Sequence, residues 1–506
     1  MGVDGVSFYE IADRDPDRPA VLGPGGPLSY GQLHGRVNRC SAVLRRLGLR
    51  PGDTVATVLG NRPEFLVALF AAMQNGLYFV PVSRHLTKPE IAYILTDSGA
   101  GAVITEDALA GTVQVAAGEA GVAPSALLSV DAPEWLGDAS ETPPDERRMG
   151  SIMFYTSGTT GRPKGVQRPL LDLPPEPVFD LLRQTVGRDL DFTPGDGVHL
   201  VLGPLYHSAP CAHAMVALIF GHAVVVPPRF EPESALRLVQ DYRVTNTFMV
   251  PTMFHRLLGL PEDVRNRYDT SSLQQVFHSA APVAVHTKQA MMDWLGPVLW
   301  EYYGSTESGA VVLARPEEWL AHPGTVGRPL DGVEVKILDE DGRELPAGET
   351  GMIYVRGGTL GFEYHDDPDK TAAAHHGDLY TPGDLGYLDE DGFVHMSDRR
   401  TDLIISGGVN LYPAEIEAAL LRHPAVADVA VIGVPDEEWG QQPIALVEPA
   451  PGHEPDASLV ADLLAHCEPL LARLKHPRRI EFRTKLPRTP SGKLSRSRLR
   501  ESYLKG

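Results

Sequence analysis

The sequence predicts an α/β protein: a large N-terminal domain of doubly wound mixed sheets with a small β unit, followed by a small α+β C-terminal domain. Three observations predict it. Short apolar runs recur between residues 151 and 300, and each ends in a loop of unusual composition. Helical patterns separate them, and strands alternating with helices imply a mainly parallel sheet covered on both faces. Near Asp398 the pattern changes, which divides the 506 residues into domains 1–398 and 399–506. A chain of this length exceeds one compact domain.

In chain order, Asp131 to Arg148 is rich in Asp, Glu and Pro and reads as a surface connection. Ser151 to Tyr155 is a strand candidate running into a glycine-rich loop. His199 to Leu202 leads to Pro204-Leu205-Tyr206-His207, and Val244 to Val250 ends at Pro251-Thr252. Leu273 to Phe277 leads to His278-Ser279-Ala280-Ala281-Pro282, and Pro297 to Trp300 leads to Glu301 to Glu307. Glu231 to Arg243 is helical, with Ala235, Leu236, Val239 and Tyr242 on one face. In such sheets ligands bind beyond the carboxyl ends of the strands, where these loops fall. Asp331 to His395 alternates short runs with Gly and Asp turns and reads as an antiparallel β unit. Beyond Asp398, a helix beginning near Pro413, strands at Val429 to Val434 and Ile444 to Val447, and a helix around Leu459 to Leu471 suffice for a second unit.

Composition excludes several classes. A formal net charge of -21 disfavours nucleic acid or an anionic membrane as main partner, because phosphate binding needs a basic surface. Cys40, Cys211 and Cys467 are three and widely spaced, which argues against a disulfide framework and for a reducing cytoplasm. No basic segment followed by an apolar run marks a leader. Apolar stretches such as Phe65 to Met73 are too short to span a bilayer, so stable membrane insertion is not expected. In so acidic a chain, the basic run from Lys475 to Arg500 is expected to face a phosphorylated ligand.

The densest chemistry lies in Tyr155 to Gly165. Glycines let a backbone approach an anion, Ser and Thr hydroxyls donate, and Lys164 supplies a compact positive charge, a combination suited to a polyphosphate. It is not a Walker loop, because Gly165 rather than Ser or Thr follows Lys164. His375-His376 lacks the spacing of a metal hydrolase and reads as loop.

Five ordered motifs, Thr156 to Gly165, Tyr303 to Glu307, Pro382-Gly383-Asp384, Asp398 to Asn410 and Pro490 to Lys493, resemble those of the adenylate-forming superfamily, and of its acyl-CoA synthetase branch, over nearly the whole chain. That resemblance implies activation of a carboxylic acid by ATP to an acyl-adenylate and pyrophosphate, then transfer to CoA, with Mg2+ as cofactor. It implies a phosphate grip from Thr156, Ser157, Gly158, Thr159, Thr160 and Lys164, an oxygen ligand for Mg2+ from Glu307, and an α-phosphate contact from Thr306. Adenine would lie between Tyr303 and the Ser279-Ala280-Ala281 backbone beside Gly304, and the ribose against Asp384 and Arg399. Lys493 would stabilise charge developing at the α-phosphate. The C-terminal domain would be mobile, rotating about Thr401 so that Lys493 withdraws and the Gly407-Gly408 segment opens a passage for CoA. Three departures stand out: Thr401 where Lys or Asp is usual, Ser279 where Gly is usual, and Gln167-Arg168-Pro169 in place of a histidine-containing segment.

The same resemblance puts the acid near His207, an aromatic gate, with Ala209, Ala212, Gly304 and Gly309 around it. Small and apolar neighbours favour a fatty, alicyclic or terpenoid-like acid over an amino acid or acetate. A partial-reaction relative working with a carrier protein or partner ligase, and a non-catalytic nucleotide or acyl-adenylate binder, are the alternatives. A homodimer is compatible with either.

Overall fold

The computed structural model describes residues 7–504 apart from 24–25, 157–162, 358–360, 400–401, 407–408, 437–438, 472, 489–493 and 495. The expected α/β class holds. A five-stranded parallel sheet runs in the order Leu127–Ser129, Ala100–Thr105, Thr54–Val58, Tyr78–Val82, Ser151–Ile152. Thr54–Val58 is buried along its whole length, as a central strand with both faces covered must be.

The larger sheet positions the site. Its parallel part runs Pro19–Leu22, Ala223–Val225, Val198–Leu200, Asn246–Met249, Gln275–His278, Leu299–Ser305. It continues antiparallel through Gly309–Ala314 and Thr325–Pro329. Val394–Arg399 then pairs with Thr325–Pro329, so the expected small β unit is hydrogen-bonded into the large sheet. The helix Pro232–Tyr242 buries Ala235, Leu236 and Val239 as its periodicity predicts.

Two local readings are corrected. The run ending at Trp300 does not give way to a loop: the strand is Leu299–Ser305, because Gly309–Ala314 folds back and pairs with Glu301 to Ser305. Polar Glu301 hid this, yet it is buried in a 2.7 Å bond from Lys288 on the helix Val285–Leu295. Likewise His375–His376 is a short strand paired with Leu379–Tyr380 and not a loop.

Residues beyond Ile404 build their own sheet. Val426–Asp436 and Gly440–Pro449 form a long antiparallel pair, flanked by Ile404–Ser406 and, in parallel, Arg479–Phe482. Helices Pro413–Leu420 and Ala457–Cys467 cover it with Ile416, Leu420 and Leu463, in a core cluster separate from that of the large sheet.

A polar seam crosses the main core. His199 Nδ1 lies 2.6 Å from Asn246 Oδ1, Asn246 Nδ2 lies 3.1 Å from His222 Nδ1, and His222 Nε2 lies 2.8 Å from the Thr193 carbonyl. His213 stacks on His199 with ring centroids 6.0 Å apart. Burial pushes His199 and His222 down to about 4 and His213 to about 3. The unfolded chain therefore binds these protons first, near pH ~6.5. Stability is complete above that pH and falls toward pH ~4, by on the order of 1.4 kcal/mol per pH unit for each histidine. Thermal unfolding should show a lower melting temperature at pH 5 than at pH 7, and His213→Phe should reduce that difference. An equal difference in the variant would remove His213 from the effect.

Candidate functional site

The parallel pairing stops in register, with Met249 beside His278 and His278 beside Glu301, so the segments that follow leave from one edge. His207 caps the helix Ser208–Ile219 there, its ring 4.7 Å from that of Tyr206. Ser279, Ala280 and Ala281 follow Gln275–His278. Ala280 is exposed at φ 76°, a left-handed conformation that costs an L-residue roughly 1–2 kcal/mol. Such strain in a non-glycine residue at a sheet edge marks a segment shaped for contact rather than packing.

The last turn of Leu299–Ser305 carries the polar groups. The Tyr303 hydroxyl donates to Asp384 Oδ2 at 2.9 Å, and both residues are buried. This bond joins the parallel sheet to the β unit, where Asp384 pairs in the ladder with Arg399. One Asp384 oxygen is thus engaged by Tyr303, a link that residue order did not reveal. Gly304 is required by packing, since a Cβ there would collide with the Gly309 carbonyl, and Gly309 itself has φ 69°.

Beyond Ser305, the Thr306 hydroxyl lies 3.4 Å from that of Ser208. Glu307 is buried, and the Tyr364 hydroxyl donates to its Oε1 at 2.9 Å. Burial, then the Glu307 charge, raises the Tyr364 pKa, keeping that hydroxyl a donor. Lys370 sits 4.0 Å from the Tyr364 ring centroid, and burial lowers its pKa against the pull of Glu307. Thr156 and Lys164 face each other across a ladder, and the Lys164 ammonium is 3.5 Å from Asp367.

Among the described residues no group of three His, Cys, Asp or Glu could hold a metal ion. Glu307 Oε2 has no hydrogen-bond partner among them. One carboxylate with substrate phosphates and water completing the shell is how Mg2+ is commonly held, so the donor set fits that ion.

On the acyl side, Ala209 is half-buried and Ala212 exposed, one turn into the helix that His207 caps. Behind them His213 packs against Phe248, Phe277 and Tyr302, with ring centroids at 5.2, 5.0 and 5.9 Å. Ser157, Gly158, Thr159, Thr160, Thr401, Gly407, Gly408 and Lys493 lie outside the described residues, as does the side chain of Arg399.

Among the described residues, much of the basic C-terminal run is paired with acids. Lys475 bonds Glu415, Arg479 and Arg483 bond Glu481, Arg488 bonds Asp428, and Arg496 bonds Asp402 and Glu417. Acids between Asp402 and Asp428, with Glu481 inside the run, are folded onto it, which a local reading of charge missed. Tyr364, Lys370 and Arg168 were missed as well. The alternation Phe362-Glu363-Tyr364 was the available signal for the first.

The chain matches the family model described as AMP-binding enzyme over residues 8–365, and that of the AMP-binding enzyme C-terminal domain over 415–493. It belongs to the AMP-binding enzyme family. Among its relatives, a feruloyl-CoA synthase of Amycolatopsis sp is 36% identical over 97% of each chain. The fatty acid–[acyl-carrier-protein] ligase ScoC of Streptomyces coeruleorubidus is 34% identical, over 99% of this chain and 96% of that one. The solved o-succinylbenzoate CoA synthetase of Bacillus subtilis, in complex with its acyl-adenylate, superposes with a TM-score of 0.83 at 30% identity over 97% of each chain. The protein is thus an ATP-dependent, AMP-forming acid–thiol ligase of the adenylate-forming superfamily, whose CoA ligases use ATP, Mg2+ and CoA.

Tyr303→Phe should weaken ATP binding roughly ten- to a hundredfold, the worth of one hydrogen bond to a charged group. Calorimetry checks this, and unchanged affinity would separate the Tyr303–Asp384 bond from the nucleotide.

Proposed function

We propose that this enzyme activates a hydrophobic carboxylic acid with ATP and transfers the acyl group to CoA. The observation that carries the reading is the buried Glu307 carboxylate, held by Tyr364 and one strand turn from the Tyr303–Asp384 bond. A metal-phosphate group and a ribose would meet these two anchors in the order a nucleotide presents them. Mg2+, when bound, neutralises phosphate charge. The residues do the rest. Thr156, Ser157, Gly158, Thr159, Thr160 and Lys164 hold the β- and γ-phosphates, Thr306 donates to the α-phosphate, and Asp384 with Arg399 orients the ribose. The acid's carboxylate attacks the α-phosphorus, pyrophosphate leaves, and Lys493 stabilises the charge gathering on the phosphoryl oxygens. The CoA thiolate then attacks the acyl carbonyl and displaces AMP.

Two stages at one carbonyl need two arrangements of the C-terminal domain, which we place at 399–506 with Thr401 as pivot and Gly407-Gly408 along the CoA passage. The acid lies between His207 and the wall of Ala209, Ala212, Gly304 and Gly309, backed by the His213, Phe248 and Tyr302 rings. That apolar wall supports a bulky hydrophobic acid. The relatives named for feruloyl, indoleacetate and 2-succinylbenzoate substrates support a ring-bearing one. The relative named for an acyl-carrier-protein makes a carrier thiol the second reading.

A panel of aliphatic, alicyclic and aryl acids should be run in two assays: acid-dependent ATP–pyrophosphate exchange, and thioester formation with CoA or a phosphopantetheinyl carrier. Ring-bearing acids should support exchange and CoA thioester formation. Lys493→Ala should lower exchange ~10²–10³-fold while sparing CoA attack on supplied acyl-adenylate. Exchange without CoA thioester, but with carrier thioester, would favour the second reading.

A further inference from the structure

Arg168 belongs to none of the five motifs, yet it grips the turn on which the proposed reaction depends. The strand Lys164–Gln167 ends one residue before it, and Pro169 follows, which favours an extended backbone at Arg168. The Tyr78 hydroxyl donates to the Arg168 carbonyl at 3.1 Å and fixes its root. From there Nη2 donates to the Thr306 carbonyl at 2.7 Å and to the Glu307 carbonyl at 3.0 Å. One nitrogen bridging two successive carbonyls holds that turn in a single conformation.

The guanidinium is expensive where it sits. Burial lowers its pKa against the pull of Glu307, and its Nε is buried without a hydrogen-bond partner among the described residues. A loop that merely needed closing could use a neutral donor. The same strand also pairs Val166 with Tyr364, whose hydroxyl holds the Glu307 side chain, and pairs Lys164 with Thr156. One small sheet therefore grips Glu307 twice, at the main chain through Arg168 and at the side chain through Tyr364. It also carries the stem of the phosphate loop.

We propose that Arg168 is a positioning residue that sets Thr306 and Glu307 in register with the phosphate loop, so that metal and phosphates are received together. The inference rests on the reading of Glu307 as the oxygen ligand for Mg2+. Both bonds come from Nη2, one covalent bond further from the main chain than a lysine ammonium reaches, so lysine does not replace it.

Calorimetric titration of the full chain with ATP, in EDTA and across a Mg2+ series, tests this with Arg168→Gln and Arg168→Lys. Both variants should bind metal-free ATP within about threefold of the parent and MgATP about tenfold more weakly. The Mg2+ concentration for half-maximal pyrophosphate exchange should rise in parallel, and lysine should not rescue. Arg168→Lys keeps the charge and the stem, so it decides the matter if Arg168→Gln does not fold. An Arg168→Lys protein with the parental Mg2+ response would overturn the proposal. Glu307→Gln separates the two levels. If it too keeps the parental Mg2+ response, the reading of the turn fails. If it loses that response while the Arg168 variants keep it, only the role of Arg168 fails.

Discussion

The strand Leu299–Ser305 is the constraint on which the rest of the molecule is arranged. Seven residues must satisfy four demands at once. Glu301 is buried and held by Lys288, Tyr303 reaches across to Asp384, Gly304 has no room for a Cβ, and the chain must then turn so that Thr306 and Glu307 face the sheet edge. Removing Lys288 would strand a carboxylate in the core, a loss of about 3–5 kcal/mol. The neighbouring strands exist largely to hold this one. Parallel Gln275–His278 sets its depth, and antiparallel Gly309–Ala314 turns it back over its own end.

That arrangement is how the proposed nucleotide site would arise without a Walker loop. Groups from four separated segments are brought to one edge where the parallel pairing ends: His207, the Ser279 to Ala281 segment with its strained Ala280, Tyr303 to Glu307, and Asp384 from the β unit. As the proposed oxygen ligand for Mg2+, Glu307 would be one carboxylate in place of a cage, so its position would matter more than its charge. Two grips on Glu307, from Tyr364 and Arg168, supply that position from outside the strand. The acids that tie down the C-terminal arginines serve a different end. Arg496 bonds Asp402, and the Arg500 guanidinium donates to the Asp402 carbonyl at 3.1 Å, so the last helix is anchored to the residue after Thr401.

Much of this was legible in the sequence, for a physical reason. Parallel strands buried on both faces are apolar runs, and ligands of such sheets bind at the carboxyl ends, so runs followed by odd loops pointed to the edge that the parallel pairing forms. The family resemblance supplied the residue roles that the proposal uses. What stayed hidden were long-range partners. Nothing local to Glu301 announces Lys288, and nothing local to Arg168 announces the Thr306 and Glu307 carbonyls far along the chain. Charge was misread for the same reason. The run from Lys475 to Arg500 is basic in sequence, but folding brings Glu415, Glu417, Asp402 and Asp428 onto it. The strand through Glu301 to Tyr303 was lost because a buried ion pair looks polar to a periodicity argument.

The central claim is that the acid's own carboxylate oxygen bonds to the α-phosphorus at this strand end. Turnover of an acid labelled with 18O in its carboxylate, followed by mass spectrometry of the nucleotide product, tests it directly. The account predicts AMP carrying one 18O atom per turnover and unlabelled pyrophosphate. Unlabelled AMP, or ADP with the label in inorganic phosphate, would contradict it.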